Sequence, residues 1–287
     1  MTIARTYPAG VTSWVDLEVP DLDDLELAAQ FYGGLFGWTF APATPDQAPF
    51  RYLIARLDGQ DAAGLGGPAS PQRPGDTQWT TYVAVDDTDA TAAAVERAGG
   101  RVVLPPADAG EGGRSALCAD PEGALFGLFQ ARRRLGAQVT NQPGAWNFSD
   151  LHTADPAGAP AFYTSLFGWE VADLGFARMV RRPGYGDHLE ATTDPGIRER
   201  QSGAMVPPGF ADAIGWVAPL TPGEAAHWHV TFTVADRDDS AAAAERLGGT
   251  VVRSSTSDWT REAVVADPFG AQFTLSQFTP PGSRGGA

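Results

Sequence analysis

The stretch FYGGLFGW at residues 31–38 returns as FYTSLFGW at residues 162–169. In both copies an aromatic residue and a leucine stand four positions apart (Phe31 and Leu35, Phe162 and Leu166), which places them on one face of a helix. Gly37 and Gly168 follow as helix stops. The landmarks around the two copies recur in the same order. WVDLEVPD (14–21) matches FSDLHTAD (148–155), and WTTYVAVDD (79–87) matches WHVTFTVAD (228–236). ERAGGRVVLPP is answered by ERLGGTVVRSS, and ADPEGALFGLFQ by ADPFGAQFTLSQ. Such a series implies two homologous modules in one chain.

Each module has the same local reading. An alternating strand ends at Asp21 or Asp155, a residue type that caps a helix through its side-chain oxygen. Further strands follow, then an alanine-rich helix (ATAAAVERAGG, SAAAAERLGG) closed by Gly-Gly, and a hairpin turned by DPEG or DPFG. Each module is thus two β-α-β-β-β units, and the expected class is α+β. The expected boundaries are 10–132 and 144–279, with a linker at 133–143.

At 287 residues the chain has length for two ordinary cores. No apolar run approaches the ~18–20 residues of a membrane span, and the opening MTIARTYPAG has no apolar centre, so a cytoplasmic protein is expected. The net charge of −15 argues against nucleic acid or an anionic membrane as partner, since both are bound through basic residues. All 20 basic residues are arginine, which excludes Schiff-base and P-loop lysine chemistry. The single cysteine, Cys118 in the apolar run SALCAD, excludes an intramolecular disulfide and a cysteine zinc site. It reads as a small buried hydrophobe.

The repeated FYxxLFGW, Gly-Gly and DPxG landmarks resemble the vicinal oxygen chelate superfamily, which includes glyoxalase I, bleomycin-resistance proteins and extradiol dioxygenases. The resemblance covers nearly the whole chain. It implies two tandem modules, each a pair of βαβββ units forming a half-open, curled sheet around a cup with metal ligands projecting inward. One ligand comes from the first strand, one from the start of the fifth, and an acidic one from the last. Transferred to the first module, these positions hold Trp14, Thr80 and Gly127; in the second they hold Phe148, His229 and Thr274. A divalent site of this type needs three or more His, Asp or Glu ligands. No cofactor is therefore expected.

A displaced site has other candidate ligands. Asp150 and His152 share a strand face with Phe148, and His152 lies about 13 Å along the strand from the family position at ~3.3 Å per residue. If a metal binds at all, the expected pair is His229 with Asp150. His227 is expected at the mouth of its strand, and His188, in DHLE beside Glu190, on a solvent-exposed loop.

The alternative is a substrate pocket. Trp14, Asp16 and Glu18 share one face, as do Phe148, Asp150 and His152, offering a stacking wall followed by a carboxylate anchor. An equal alternative has each aspartate tying down a neighbouring loop. The second module also carries a long insertion at 183–226, with Arg178 just before it and Trp216 within it; such insertions serve as lids or binding loops. Arg114 and Arg261 occupy matching strand positions, to bind an anionic substrate or to salt-bridge an acidic neighbour.

The second cup is thus the expected site, with His229, His152 and Asp150 as catalytic candidates and Phe148, Thr274, Arg261, Trp216, Arg178, Trp14, Asp16 and Glu18 as substrate-binding ones. Two functions fit. One is a metal-independent bacterial enzyme, lyase, isomerase or oxygenase in type, acting on an aromatic or polyketide-like compound. The other is a protein that sequesters a drug or metabolite without turnover. A metal-dependent lyase or dioxygenase ranks third. The small-molecule ligand is the only partner expected, and two modules per chain imply a monomer or weak homodimer.

Overall fold

The computed structural model describes residues 4–45, 47–175, 177–202 and 206–279. Residues 203–205 of the expected insertion lie outside that set. The first half runs β1 (Thr12–Glu18), α1 (Leu22–Phe36), β2 (Thr39–Pro42), β3 (Arg51–Leu57), β4 (Gln60–Gly67), β5 (Trp79–Ala84), α2 (Thr88–Arg97), β6 (Arg101–Asp108), β7 (Gly113–Ala119) and β8 (Leu125–Ala131). The second runs β9 (Trp146–Thr153), α3 (Pro160–Phe167), β10 (Glu170–Asp173), β11 (Arg178–Arg181), α4 (Tyr185–Ala191), α5 (Ile197–Ser202), β12 (Ala213–Pro219), β13 (His227–Thr233), α6 (Arg237–Arg246), β14 (Thr250–Thr256), β15 (Thr260–Ala266) and β16 (Gln272–Phe278).

The strands form two mixed, eight-stranded sheets of the same order, β2-β3-β4-β1-β5-β8-β7-β6 and β10-β11-β12-β9-β13-β16-β15-β14. Each half of the chain therefore builds one open sheet of two βαβββ units, as the repeat implied. The compact units cut across this division. One comprises residues Met1–Trp14, Thr80–Gln138 and Phe148–Trp228; the other comprises Val15–Trp79, Val139–Asn147 and His229–Ala287. No helix among the described residues is long and apolar enough to cross a membrane.

The repeated motifs explain how each unit holds together. In the unit containing α1, Phe31, Tyr32 and Phe36 are buried, and Gly37, at φ 72°, ends the helix in the left-handed region that glycine enters without strain. That reversal brings Trp38 back onto Tyr32, with ring centres 5.9 Å apart, and onto Phe36 at 4.9 Å. Phe232 and Phe273 from the other half of the sequence complete the cluster.

Beneath it lies a polar chain. The Trp79 indole N–H donates to the Tyr32 hydroxyl at 3.0 Å, and Tyr32 donates to Asp267 Oδ2 at 2.8 Å. Asp267 Oδ1 accepts from the backbone of Phe269 and Ala271 inside its DPxG turn. The other unit repeats the chain with Trp228, Tyr163 and Asp120, at 3.0 and 2.9 Å. The tyrosine of each FYxxLFGW copy is thus bonded to the DPxG aspartate of the opposite copy.

Some local expectations need correction. Asp21 caps α1 by accepting from Asp24 N, whereas Asp155 accepts from Gly158 N in a preceding turn and α3 begins at Pro160 without a side-chain cap. The intervening PAGA segment (156–159) uses the aspartate one turn early. The expected insertion 183–226 includes β12, a regular strand parallel to β9. The extra material proper lies between β11 and β12 and forms α4, α5 and a single 3-10 turn at Phe210–Asp212. His188 is on α4, half-buried, with Nε2 3.1 Å from the Thr6 hydroxyl; it is not an exposed loop residue. The helix turns it inward beside Tyr185. Cys118 is fully buried, which pushes its thiol up to about 12.

Candidate functional site

Strand alternation places Phe148, Asp150 and His152 on one face of β9. The neighbouring β12 runs parallel to it, with Trp216 level with Asp150 and Ala218 level with His152. The 3-10 turn before β12 delivers Phe210. Phe148, Phe210 and Trp216 then stand with every pair of ring centres 6.3 Å apart, and all three are half-buried. Three partly exposed rings in mutual contact form an apolar wall that a flat ligand can cover.

Below the wall, His152 is buried and its ring centre lies 4.6 Å from that of His227, the first residue of β13. Glu224, in the turn before β13, accepts from Thr221 N at 2.8 Å and places Oε2 3.6 Å from His152 Nδ1. Burial alone raises the Glu224 carboxyl; the Thr221 hydrogen bonds and the two histidines outweigh it and hold the group at about 2. His227 Nδ1 lies 2.9 Å from Ala225 O and donates to it. His229, two residues along β13, bonds through Nε2 to the Thr274 hydroxyl at 2.8 Å.

His152, remote from Phe148 along β9, meets the ring of His227 at the start of β13. Glu224, His227 and Phe210 were missed as site residues. The spacing Glu-x-x-His-x-His in EAAHWH carries the signal for the first two.

The metal positions implied by the superfamily do not fit a metal here. In the second half they present a phenyl ring (Phe148), an imidazole already bonded to a hydroxyl (His229), and that hydroxyl (Thr274). In the first half they present Trp14, Thr80 and Gly127. A side chain at Gly127 would begin 2.0 Å from the Tyr82 ring, so an aromatic ring occupies the place of the acidic ligand.

The first half shows polar groups tied to neighbours. Asp16, buried on β1, accepts from the Tyr52 hydroxyl at 2.9 Å, and Gly64, level with Asp16 on β4, gives the tyrosine room. Glu18 is paired with Arg73 at 3.3 Å. Trp14 is buried on the same strand. Arg261 is ion-paired to Asp238 at the start of α6, as Arg114 is to Asp89 at the start of α2. Arg178 pairs with Asp173 and donates to Pro156 O.

With two open sheets of this order and two copies of each landmark, the chain belongs to the glyoxalase, bleomycin-resistance and dioxygenase superfamily, the vicinal oxygen chelate fold. The model of that superfamily matches residues 22–128, and a glyoxalase-like domain model matches residues 148–276. Full-length relatives include a putative glyoxylase, CFP32, of Mycobacterium bovis, 33% identical over 96% of this chain and 97% of its own. The anthracycline biosynthesis protein DauV of a Streptomyces species is also 33% identical, over 94% of each chain. Among solved structures, the Mn(II)-bound glyoxalase of Novosphingobium aromaticivorans shares the fold with a TM-score of 0.57 at 17% identity, covering 95% of this chain and 84% of its own.

Proposed function

We propose that the protein is an enzyme of bacterial small-molecule metabolism that acts on an aromatic, polyketide-like compound in the cup of its second half, without a metal at the superfamily's ligand positions. The observation that carries this reading is the wall of Phe148, Phe210 and Trp216 beside buried His152 and its carboxylate neighbour Glu224. The rings offer stacking area for a planar ligand, and a histidine oriented by a carboxylate is suited to move a proton at its edge. Asp150, level with Trp216, is the anchor for a polar substituent. The similarity to DauV, whose name places it in anthracycline biosynthesis, supports the choice of polycyclic aromatic substrates.

A sequestering role rests on the same wall and differs in requiring no proton transfer. Titrating the full chain with a hydroxylated anthraquinone while following tryptophan fluorescence, then analysing the mixture by mass spectrometry, separates the two. The enzyme reading expects saturable binding and a product of changed mass or chromatographic mobility. Trp216→Ala should weaken binding at least tenfold, and His152→Gln should abolish product while leaving binding. Binding that survives Trp216→Ala unchanged would remove the wall from the site.

A further inference from the structure

We infer that the N-terminal segment at residues 5–9 braces the aromatic wall from outside it, with Arg5, Tyr185, His188 and Asp212 acting as positioning residues for Phe210. The consequence for ligand binding rests on the reading of the wall given above; the placement of the Phe210 ring does not. All of these residues belong to one compact unit.

Phe210 sits in a turn that cannot hold itself. A 3-10 turn of three residues has poor hydrogen-bond geometry, and this one has no side-chain cap. Its support comes from α4. Asp212 Oδ1 accepts from Gly186 N at 2.7 Å, and Asp212 O accepts from Arg182 N at 2.9 Å. Helix and turn approach so closely that a Cβ at Gly186 would lie 2.6 Å from that of Ala211. On the strand side, the missing side chain of Gly209 leaves room for the Arg181 guanidinium.

The helix needs a support of its own. Seven residues without a side-chain cap are too few for a stable helix in isolation, so contacts with other segments set where α4 lies. Tyr185 and His188, three residues apart, share the face that meets the N-terminal segment. The Arg5 guanidinium donates to the Tyr185 hydroxyl at 2.9 Å, and His188 Nε2 lies 3.1 Å from both the hydroxyl and the carbonyl oxygen of Thr6. Arg182 Nε donates to Ala9 O at 3.0 Å. The segment is anchored in turn: the Gln138 side chain exchanges two hydrogen bonds with the Arg5 backbone, and Tyr7 donates to Ala137 O at 2.6 Å. Contacts thus run unbroken from residue 5 through α4 to Phe210, whose ring centre stands 6.3 Å from those of Phe148 and Trp216. A flat ligand needs all three rings in place at once, and its apparent affinity falls by the fraction of chains in which one is not.

The test labels the full chain with 4-fluorophenylalanine and assigns the fluorine resonance of residue 210 by its loss in Phe210→Leu. Gly186→Ala drives a methyl into Ala211, and Arg5→Ala releases Tyr185; each should shift or broaden that resonance in the ligand-free protein. Each should also weaken binding of a hydroxylated anthraquinone by about three- to tenfold, through a smaller fraction of chains with the ring in place. That loss should vanish in a Phe210→Ala background, because the coupling runs through the ring. A merely structural role would lower the melting temperature and leave both the resonance and the affinity of the folded chain as in the parent. Arg5→Ala decides the matter if Gly186→Ala does not fold. An unmoved resonance in Arg5→Ala, or the same loss of affinity with and without the Phe210 ring, overturns the brace. If the unmutated chain binds no anthraquinone, the reading of the wall fails, and the fluorine spectrum still decides the brace.

Discussion

Replacing Tyr32 by Phe removes one oxygen atom and breaks two hydrogen bonds at once. Asp267 Oδ2 loses the donor at 2.8 Å, and the Trp79 indole N–H loses its acceptor at 3.0 Å. All three residues are buried. A charge-assisted hydrogen bond contributes about 1.5–3 kcal/mol, and a buried donor left unmade costs about 1–3 kcal/mol, so Tyr32→Phe should destabilise by about 3–5 kcal/mol. At roughly 2–4 °C per kcal/mol for a unit of this size, the melting temperature should fall by about 10 °C. Tyr163→Phe removes the same oxygen between Trp228 and Asp120 and should cost the same.

The pH dependence adds a sign. Burial raises Asp267 above its ordinary value of 3.8, against the pull of Tyr32 and the turn N–H groups. The folded chain therefore holds that proton more tightly than the unfolded chain, and this group's contribution to stability is complete below pH 3.8 and lost as pH rises through the folded value. Without the Tyr32 hydroxyl, the folded value rises further. The penalty of Tyr32→Phe should accordingly shrink as pH falls toward 4. Urea denaturation of both variants at pH 7.5 and pH 5 measures it. A cost below about 1 kcal/mol, or a cost that grows on acidification, would refute the reading of this triad as a satisfied buried chain.

Other expectations follow from single contacts. Gly127→Ala drives a methyl against the Tyr82 ring and should cost about 1–3 kcal/mol, largely recovered in the Gly127→Ala, Tyr82→Ala double variant; additive costs would show that the two do not meet. Gly64→Ala should push Tyr52 off Asp16 at a similar cost, read from the urea midpoint, with no effect on anthraquinone binding in the other half. Gly37→Ala forces a side chain into the left-handed region and should lose about 1 kcal/mol by thermal melting. Because the sequence itself supplies both partners of each tyrosine–aspartate bond, light scattering should give a monomer or weak dimer; an obligate tetramer would contradict this.

The two tandem sheets were legible because a repeat constrains topology: what one copy leaves ambiguous, the other fixes. The buried use of Tyr32 was not legible, since its partner Asp267 lies 235 residues away and strand alternation says nothing about contacts between copies. In the site, Phe148, Asp150 and His152 could be placed on one face from a period of two. The position of His227 opposite His152 could not, because register between neighbouring strands is set by the turns that join them, and here those turns include an insertion without a counterpart in the first half. Arg261 illustrates the reverse: the matched position was read correctly, but the side chain answers to Asp238, a helix-start charge that periodicity does not weigh.

The interleaving of the halves also sets an order on synthesis. The unit holding Tyr163 and Asp120 has all its strands once residue 228 has emerged from the ribosome, whereas the unit holding Tyr32 needs Asp267. The first helix of the chain is therefore made early and completed last. Through most of translation, Phe31, Tyr32 and Phe36 lack Phe273 and the DPxG turn that cover them in the finished protein. Exposed apolar surface of that kind invites aggregation, so a ribosome stalled just after residue 228 has emerged should present a nascent chain that is half folded and sticky at its oldest end.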